Sequence, residues 1–130
     1  MKANELMIGD WVQSELYGKQ QIDFVARSEH EWYNYYNCGQ CCDHTEASRP
    51  IPLTREILEK NGWVRINYIA NYGNVYWYPS RIIFDLIISD SRNISVIRDC
   101  DVVTCKYVHE LQRALWVDGN EDLAENFKIE

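Results

Sequence analysis

The segment at residues 49–63, RPIPLTREILEKNGW, constrains the fold more than any other part of the chain. Its two prolines favour extended backbone, and Thr54 is a good N-cap for a helix that begins directly after it. Leu53 and Leu58 are spaced for a hydrophobic staple, and the glycine before the final tryptophan can end the helix with a positive φ. These signals predict one short helix over residues 55–61.

Strand-like segments lie on both sides of this helix. Short runs rich in β-branched and aromatic side chains, bounded by turn residues, predict strands at residues 11–15, 22–26, 32–36, 64–69, 75–78, 81–89 and 94–97. Residues 107–117 turn helical, because Val108, Leu111 and Leu115 repeat at helix spacing. The sequence therefore predicts an α+β fold: short antiparallel strands, with a small N-terminal barrel as one arrangement, then a helix, an antiparallel meander and a C-terminal helix.

Length and composition predict a single domain over residues 1–130. A chain of 130 residues that is 46% hydrophobic can bury a core without disulfides. One subdivision is open, with an N-terminal β subdomain over residues 1–48 and an α+β part over residues 49–130. A short tail helix around residues 122–126 is also expected.

The charge of the chain restricts its partners and its location. The formal net charge is −7, and both halves carry more acidic than basic residues. This balance opposes binding to nucleic-acid phosphates, so nucleic acid is not an expected partner. The sequence has neither an apolar segment long enough to span a membrane nor a signal-peptide pattern, which predicts a cytoplasmic protein with reduced cysteines and no membrane contact.

A cysteine-rich stretch, NCGQCCDHTE at residues 37–46, is the most distinctive candidate site. Cys38 and Cys41 have the C-x2-C spacing of zinc ligands, and a zinc site needs a second pair. Two second pairs are open: Cys42 with His44, or Cys100 with Cys105. The competing interpretation, which we favour, is a polar loop with reduced thiols and no cofactor. The set Cys38, Cys41, Cys42 and His44 therefore stands as the alternative hypothesis of a zinc site.

Aromatic residues form the second candidate site. They are concentrated in two of the predicted strands: Trp32, Tyr33, Tyr35, Tyr36, Tyr76, Trp77 and Tyr78. Alternation places Trp32 and Tyr36 on one face of their strand and Tyr33 and Tyr35 on the other. Since both faces of a small sheet are rarely core, some of these rings are expected at an interface with a protein partner or a second copy.

Three ordered motifs carry a family resemblance. They are MKANELxIGxxV at residues 1–12, IPLTxExLxxxG followed by an aromatic residue at 51–63, and YVHxLQ at 107–112. In this order and spacing they resemble a family of small uncharacterised proteins of gut Bacteroides and their prophages or mobile elements. The resemblance implies a bacterial cytoplasmic origin and a phage or mobile-element context, and no particular activity. Glu110 departs from the usual glutamine, and the cysteine cluster is not part of the family pattern.

No set of catalytic residues can be assembled from local sequence. His109-Glu110 starts an H-E-x-x-H pattern, but Arg113 occupies the position of the second histidine, so the metalloprotease motif fails. His109 is instead expected to take a hydrogen-bond partner at the margin of the helix. We therefore expect a non-enzymatic interaction protein that binds a protein partner through an aromatic surface, with a zinc-stabilised binding module as the alternative.

Overall fold

The structure is a computed structural model that describes residues 1, 5–29, 31–36, 42–69, 73–78, 85–88, 94–98, 101–117 and 119–129. Within these ranges the chain forms two five-stranded antiparallel sheets and three α-helices. This arrangement confirms the predicted α+β class, with the first helix between the two sheets in chain order.

The first sheet is open and has the strand order β4-β3-β2-β1-β5. Its strands are β1 (Trp11–Ser14), β2 (Gly18–Ser28), β3 (Glu31–Tyr36), β4 (Cys42–His44) and β5 (Arg49–Pro50). The small barrel considered from the sequence is therefore wrong. The two edge strands are very short, so they offer too few main-chain pairs to close the sheet on itself. The sheet also extends slightly past the subdivision considered at residue 48, because β5 pairs with β1.

The helix predicted between the two groups of strands is α1 (Arg55–Lys60). Thr54 has extended backbone, and its side-chain oxygen accepts a hydrogen bond from the Ile57 N–H at 3.3 Å, as an N-cap does. Gly62 follows the helix with φ +87°, and the Trp63 N–H reaches back to the Leu58 carbonyl at 3.1 Å. Start and stop signals in the sequence thus set both ends of α1.

The second sheet is the predicted meander, with the order β10-β9-β8-β7-β6. Its strands are β6 (Val64–Ile69), β7 (Gly73–Trp77), β8 (Asp85–Ile88), β9 (Ile94–Arg98) and β10 (Asp101–Cys105). Every neighbouring pair is antiparallel. The hairpin loop predicted at residues 90–93 lies outside the described residues.

Two helices follow the second sheet, α2 (Val108–Val117) and α3 (Glu121–Glu125). The α2 side chains that repeat at helix spacing, Val108, Leu111 and Leu115, are fully buried. Glu110 Oε1 caps the start of α2 by accepting the main-chain N–H groups of Lys106 at 3.0 Å and Tyr107 at 2.9 Å. The short helix expected in the tail corresponds to α3.

The main core lies among α1, α2, α3 and the second sheet, and it includes Leu58, Trp63, Tyr76, Val108, Leu111 and Phe127. A smaller cluster in the first sheet comprises Leu6, Val12, Ile22 and Tyr36. Trp11 of β1 packs against the main core, and its Nε1 donates to the Phe127 carbonyl at 2.6 Å. Side chains of the first sheet therefore reach the C-terminal helices.

Part of the cysteine-rich stretch is a strand, which corrects the prediction of a loop there. Residues 42–44 pair with β3, and alternation buries Asp43 between two neighbours that face the other way. The pairing partner on β3, which local composition does not reveal, is what orders these residues. Across the part of the chain that the structure describes, no helix has the length and apolarity needed to span a membrane.

Candidate functional site

The first sheet presents an aromatic surface to solvent on one side. In the antiparallel register, opposed residues of neighbouring strands share a face of the sheet. Two cross-strand rows make up this surface: Phe24, Tyr35 and Cys42 in one, and Ala26, Tyr33 and His44 in the other. We call these six residues the aromatic face.

The rings of the aromatic face pack against one another while remaining accessible. Phe24 is 44% exposed and stacks on Tyr35, with 4.4 Å between ring centroids and an interplanar angle of 8°. Tyr33 packs against the His44 ring at 4.5 Å with a tilt of 35°. Tyr33 and Tyr35 are partly exposed and His44 is exposed. The face is thus an ordered, contiguous and solvent-accessible aromatic patch.

Glu31 links two side chains of the aromatic face. Its Oε2 accepts the hydroxyl proton of Tyr33 at 3.1 Å and lies 3.4 Å from His44 Nδ1. The hydrogen bond to this carboxylate raises the pKa of Tyr33 above its ordinary value of 10.0. The Tyr33 hydroxyl therefore stays protonated at neutral pH and keeps its orientation toward Glu31.

Acidic side chains border the aromatic face. Glu29 lies in the turn between β2 and β3, and Glu31 begins β3; both are exposed, and the charges of both raise the pKa of Tyr33. Glu29 has a φ of +58°, a left-handed conformation that residues other than glycine adopt infrequently. The border is therefore negatively charged on the side of the β2–β3 turn.

A buried polar cluster lies on the opposite side of the same strands. The Asp43 carboxylate accepts the Ser14 hydroxyl at 2.6 Å and the Tyr36 hydroxyl at 2.5 Å. Asn34 Nδ2 donates to Ser48 Oγ at 2.6 Å. Burial raises the pKa of Tyr36, so its hydroxyl remains a hydrogen-bond donor. This cluster ties β1, β3 and β4 together and fixes the side of β4 that faces outward.

The structure divides the seven aromatic residues predicted to form an interaction surface. Tyr33 and Tyr35 belong to the aromatic face. Trp32 lies on the opposite side of the sheet, at the end of the β2–β3 hairpin, and is 43% exposed. The guanidinium carbon of Arg27 lies over its ring, 5.9 Å from the ring centroid. Tyr36 is 1% exposed, so its assignment to an interaction surface is corrected.

The other predicted aromatic group lies in the second sheet. Tyr76 is fully buried in the main core, so its assignment to an interaction surface is also wrong; alternation along β7 turns it inward. Trp77 is 39% exposed. Tyr78 is partly buried and packs against Trp63 at 5.5 Å between centroids. Of these three residues, Trp77 alone is exposed.

The predicted metal set is only partly described. Cys38 and Cys41, like Cys100, lie outside the described residues. Cys42 and His44 share the outward side of β4, where both belong to the aromatic face. The described residues contain no group of three or more side chains that could hold a metal ion. The zinc hypothesis stays a prediction that depends on Cys38 and Cys41.

Phe24 is the aromatic residue of this face that sequence reasoning missed. Regular alternation would place Ile22 and Phe24 on the same side of β2, and Ile22 is fully buried. A register shift between Ile22 and Phe24 in the pairing with β3 reverses this order and turns Phe24 outward. The alternation pattern alone could not have revealed this residue.

No family model matches the chain, and no curated protein or solved structure is significantly similar to it. The family resemblance drawn from the three sequence motifs therefore stays a prediction. The aromatic face is consequently interpreted from its own geometry, exposure and charge.

Proposed function

We propose that this protein is a non-enzymatic interaction protein that binds a protein partner through the aromatic face. The observation that carries the proposal is the exposed and ordered row in which Phe24 stacks on Tyr35 beside Tyr33. Tyrosine and phenylalanine are enriched at the centres of protein interfaces, because a ring buries a large apolar area and loses little conformational entropy. An accessible patch of this kind is typical of an interaction site.

The bordering charges favour a partner with basic side chains around an apolar centre. Glu29 and Glu31 border the patch beside Tyr33, and the whole chain has a net charge of −7. Complementary charges at an interface rim increase the association rate and exclude partners of the wrong sign. Aromatic platforms for single-stranded nucleic acid normally carry a basic groove, so the acidic border argues against nucleic acid as the partner.

The proposed setting is the bacterial cytoplasm, in a phage or mobile-element context. This part of the proposal is supported by the three-motif resemblance. A partner encoded by the host or by the same element fits the proposal equally well.

A comparison of two matched double variants tests the proposal. F24S/Y35S removes the stacked pair from the aromatic face, whereas I8S/L16S removes two apolar side chains that are 64% and 75% exposed elsewhere. Tagged wild-type protein and both variants are used to capture proteins from bacterial lysate at low and high salt. We expect wild type and I8S/L16S to capture a protein that F24S/Y35S does not capture. High salt should release this protein from wild type.

The same proteins are examined by sedimentation velocity, which separates a foreign partner from a second copy. If wild type is a dimer and F24S/Y35S is a monomer, the partner is a second copy of this chain and not a basic protein. Equal capture by all three proteins would overturn the assignment of the aromatic face. Circular dichroism of the variants controls for loss of fold.

A further inference from the structure

The face of the second sheet that contributes to the main core is left open at its β10 edge. Val103 of β10 lies directly opposite Val96 of β9, so both side chains are on the same face of the sheet. Val96 is 3% exposed and belongs to the main core, whereas Val103 is 54% exposed. The helices that cover Val96 therefore do not cover the edge strand beside it.

A cavity of about 610 Å³ lies at this open edge, bounded by α2, the β9–β10 edge and the segment around Pro50. Its volume is within the range of roughly 300–1,000 Å³ typical of small-molecule sites. The apolar part of its wall consists of Met1, Pro50, Val96, Val103, Ala114 and Val117. Val96 is the buried part of this wall, and Val117, which is 71% exposed, lies on the open side. The cavity shares no residue with the aromatic face.

Two unpaired nitrogens of the wall residues are out of reach of a ligand. His109 Nδ1 and Arg113 Nε have no hydrogen-bond partner in the described part of the chain, and both atoms are fully buried. The ring of Tyr107 lies nearly parallel to the His109 ring, with 6.0 Å between centroids and an interplanar angle of 12°. These nitrogens therefore do not select the charge of a molecule in the cavity.

The positive groups of the described wall already have partners inside the protein. Arg113 Nη2 lies 3.5 Å from the Asp10 carboxylate. The Met1 ammonium donates to the main-chain carbonyls of Thr45 at 3.2 Å and Ser48 at 3.0 Å. An anionic ligand would have to compete with these partners.

The negative groups of the described wall are equal in number to the positive ones. Glu110 Oε1 accepts the main-chain N–H groups of Lys106 at 3.0 Å and Tyr107 at 2.9 Å. Glu5 is exposed, so water stabilises its charge. Since a charge that leaves water without a fixed partner is costly, this balanced wall favours neither an anion nor a cation.

The size of the cavity favours a small molecule over a protein segment. An α-helix with its side chains is about 10–12 Å across, so roughly one turn of helix would fill the cavity. One turn buries much less surface than the roughly 1,200–2,000 Å² of a stable protein interface.

We propose that this cavity binds a small, neutral and largely apolar molecule, such as a medium-chain alcohol, with its apolar body against Val96, Val103 and Ala114. Removal of the ligand and of the exposed Val103 side chain from water supplies the affinity. The site is distinct from the aromatic face and does not depend on the proposed protein partner.

Four probes test this class by ¹⁵N–¹H NMR titration of the full chain: hexan-1-ol, octan-1-ol, octanoate and octylamine. We expect octan-1-ol to shift the amides of residues 94–98, 101–105 and 108–117, which form the sheet edge and the helix beside the cavity. Each buried CH₂ group contributes about fourfold in affinity, so octan-1-ol should bind roughly 15-fold more tightly than hexan-1-ol. It should also bind more tightly than octanoate and octylamine, because a charged group loses hydration in the cavity.

Two variants fill the cavity from different walls, so that one stays decisive if the other fails to fold. V103W fills it from β10, and A114F fills it from α2. The control is V64W, because Val64 is 45% exposed on β6 at the other edge of the same sheet. We expect V103W and A114F to abolish the octan-1-ol shifts and V64W to preserve them. Circular dichroism checks the fold of each variant.

Three results would overturn the proposal. Octan-1-ol that does not bind wild type, or that binds both filling variants as well as wild type, would exclude this cavity as its site. Octanoate or octylamine binding at least as tightly as octan-1-ol would exclude a neutral ligand class. A wild-type dimer in sedimentation velocity that V103W dissociates would show that a second copy, and not a small molecule, covers Val103.

Discussion

Replacement of Gln112 by methionine is expected to destabilise the fold strongly. Gln112 lies in α2 with 1% exposure, and its side chain joins three parts of the chain. Its Oε1 accepts the main-chain N–H of Trp11 at 3.0 Å, and its Nε2 donates to the main-chain carbonyls of Gly9 at 2.7 Å and Ala124 at 2.9 Å. Methionine has a similar volume, so Q112M removes these hydrogen bonds while keeping most of the packing.

The magnitude follows from which groups are left without partners. The Gly9 carbonyl keeps the hydrogen bond from Gln21 Nε2 at 2.9 Å, so losing the Gln112 hydrogen bond to this carbonyl costs little stability. The Trp11 N–H and the Ala124 carbonyl lose the Gln112 side chain, and each buried group left unsatisfied costs about 1–3 kcal/mol. We therefore expect Q112M to lower the free energy of unfolding by about 3–5 kcal/mol, a large share of the roughly 5–15 kcal/mol typical of a domain.

Urea denaturation followed by tryptophan fluorescence and by circular dichroism measures this change. With an m-value of about 1–3 kcal/mol/M, the midpoint should fall by roughly 2 M. The control is Q20M, because Gln20 Nε2 donates to the Tyr17 carbonyl at 2.9 Å in an exposed setting, where the loss should stay within about 0.5 kcal/mol. A Q112M protein within about 0.5 kcal/mol of wild type at an unchanged m-value would refute the reasoning.

Three further predictions concern titration, thiols and metal. Burial raises the pKa of Asp10 from 3.8 to about 6, so the carboxyl binds its proton more tightly in the native state than in the unfolded state. The free energy of unfolding should therefore fall as pH rises from about 4 to 7. D10N should remove as much as about 3 kcal/mol of that fall, and a pH-independent difference between wild type and D10N would contradict this. Cys105 is 1% exposed, and burial raises its pKa to about 12. Iodoacetamide should therefore label Cys42 before Cys105 in the folded protein, as peptide mass spectrometry can verify; equal labelling rates at the two residues would disprove it. Elemental analysis after purification under reducing conditions should find substoichiometric zinc, whereas about one zinc per chain with lower stability on chelation would support the site at residues 38–44.

Local signals were sufficient to predict the helices and the fold class. Thr54 and Gly62 set the ends of α1 through capping and positive φ, which depend on neighbouring residues alone. Helix spacing in α2 predicted its buried side because the core lies on one side of that helix. The sequence left open whether the first sheet closes into a barrel, since sheet closure depends on pairing between residues far apart in sequence.

The candidate sites depended on information that local sequence does not contain. Phe24 faces outward because of an irregularity in the pairing of β2 with β3, and such an irregularity has no clear local signature here. His109 was expected to have a hydrogen-bond partner, yet its Nδ1 has none. Whether a buried side chain is paired depends on the elements packed over it, so this property emerges only with the tertiary structure.

The buried polar cluster determines which side chains of β4 a partner can meet. Because alternation has a period of two, a one-residue slip of β4 would turn Cys42 and His44 inward and expose Asp43. The hydroxyl groups of Ser14 and Tyr36 hold the Asp43 carboxylate on the inner side, and a slip would break both hydrogen bonds at once. A short edge strand has few main-chain bonds to resist such a slip, so these side-chain bonds supply the resistance. The orientation of the aromatic face therefore depends on buried polar residues that a partner would not contact. Asp43 is the central one, because its hydrogen bonds fix which side chains of β4 face inward and which face outward.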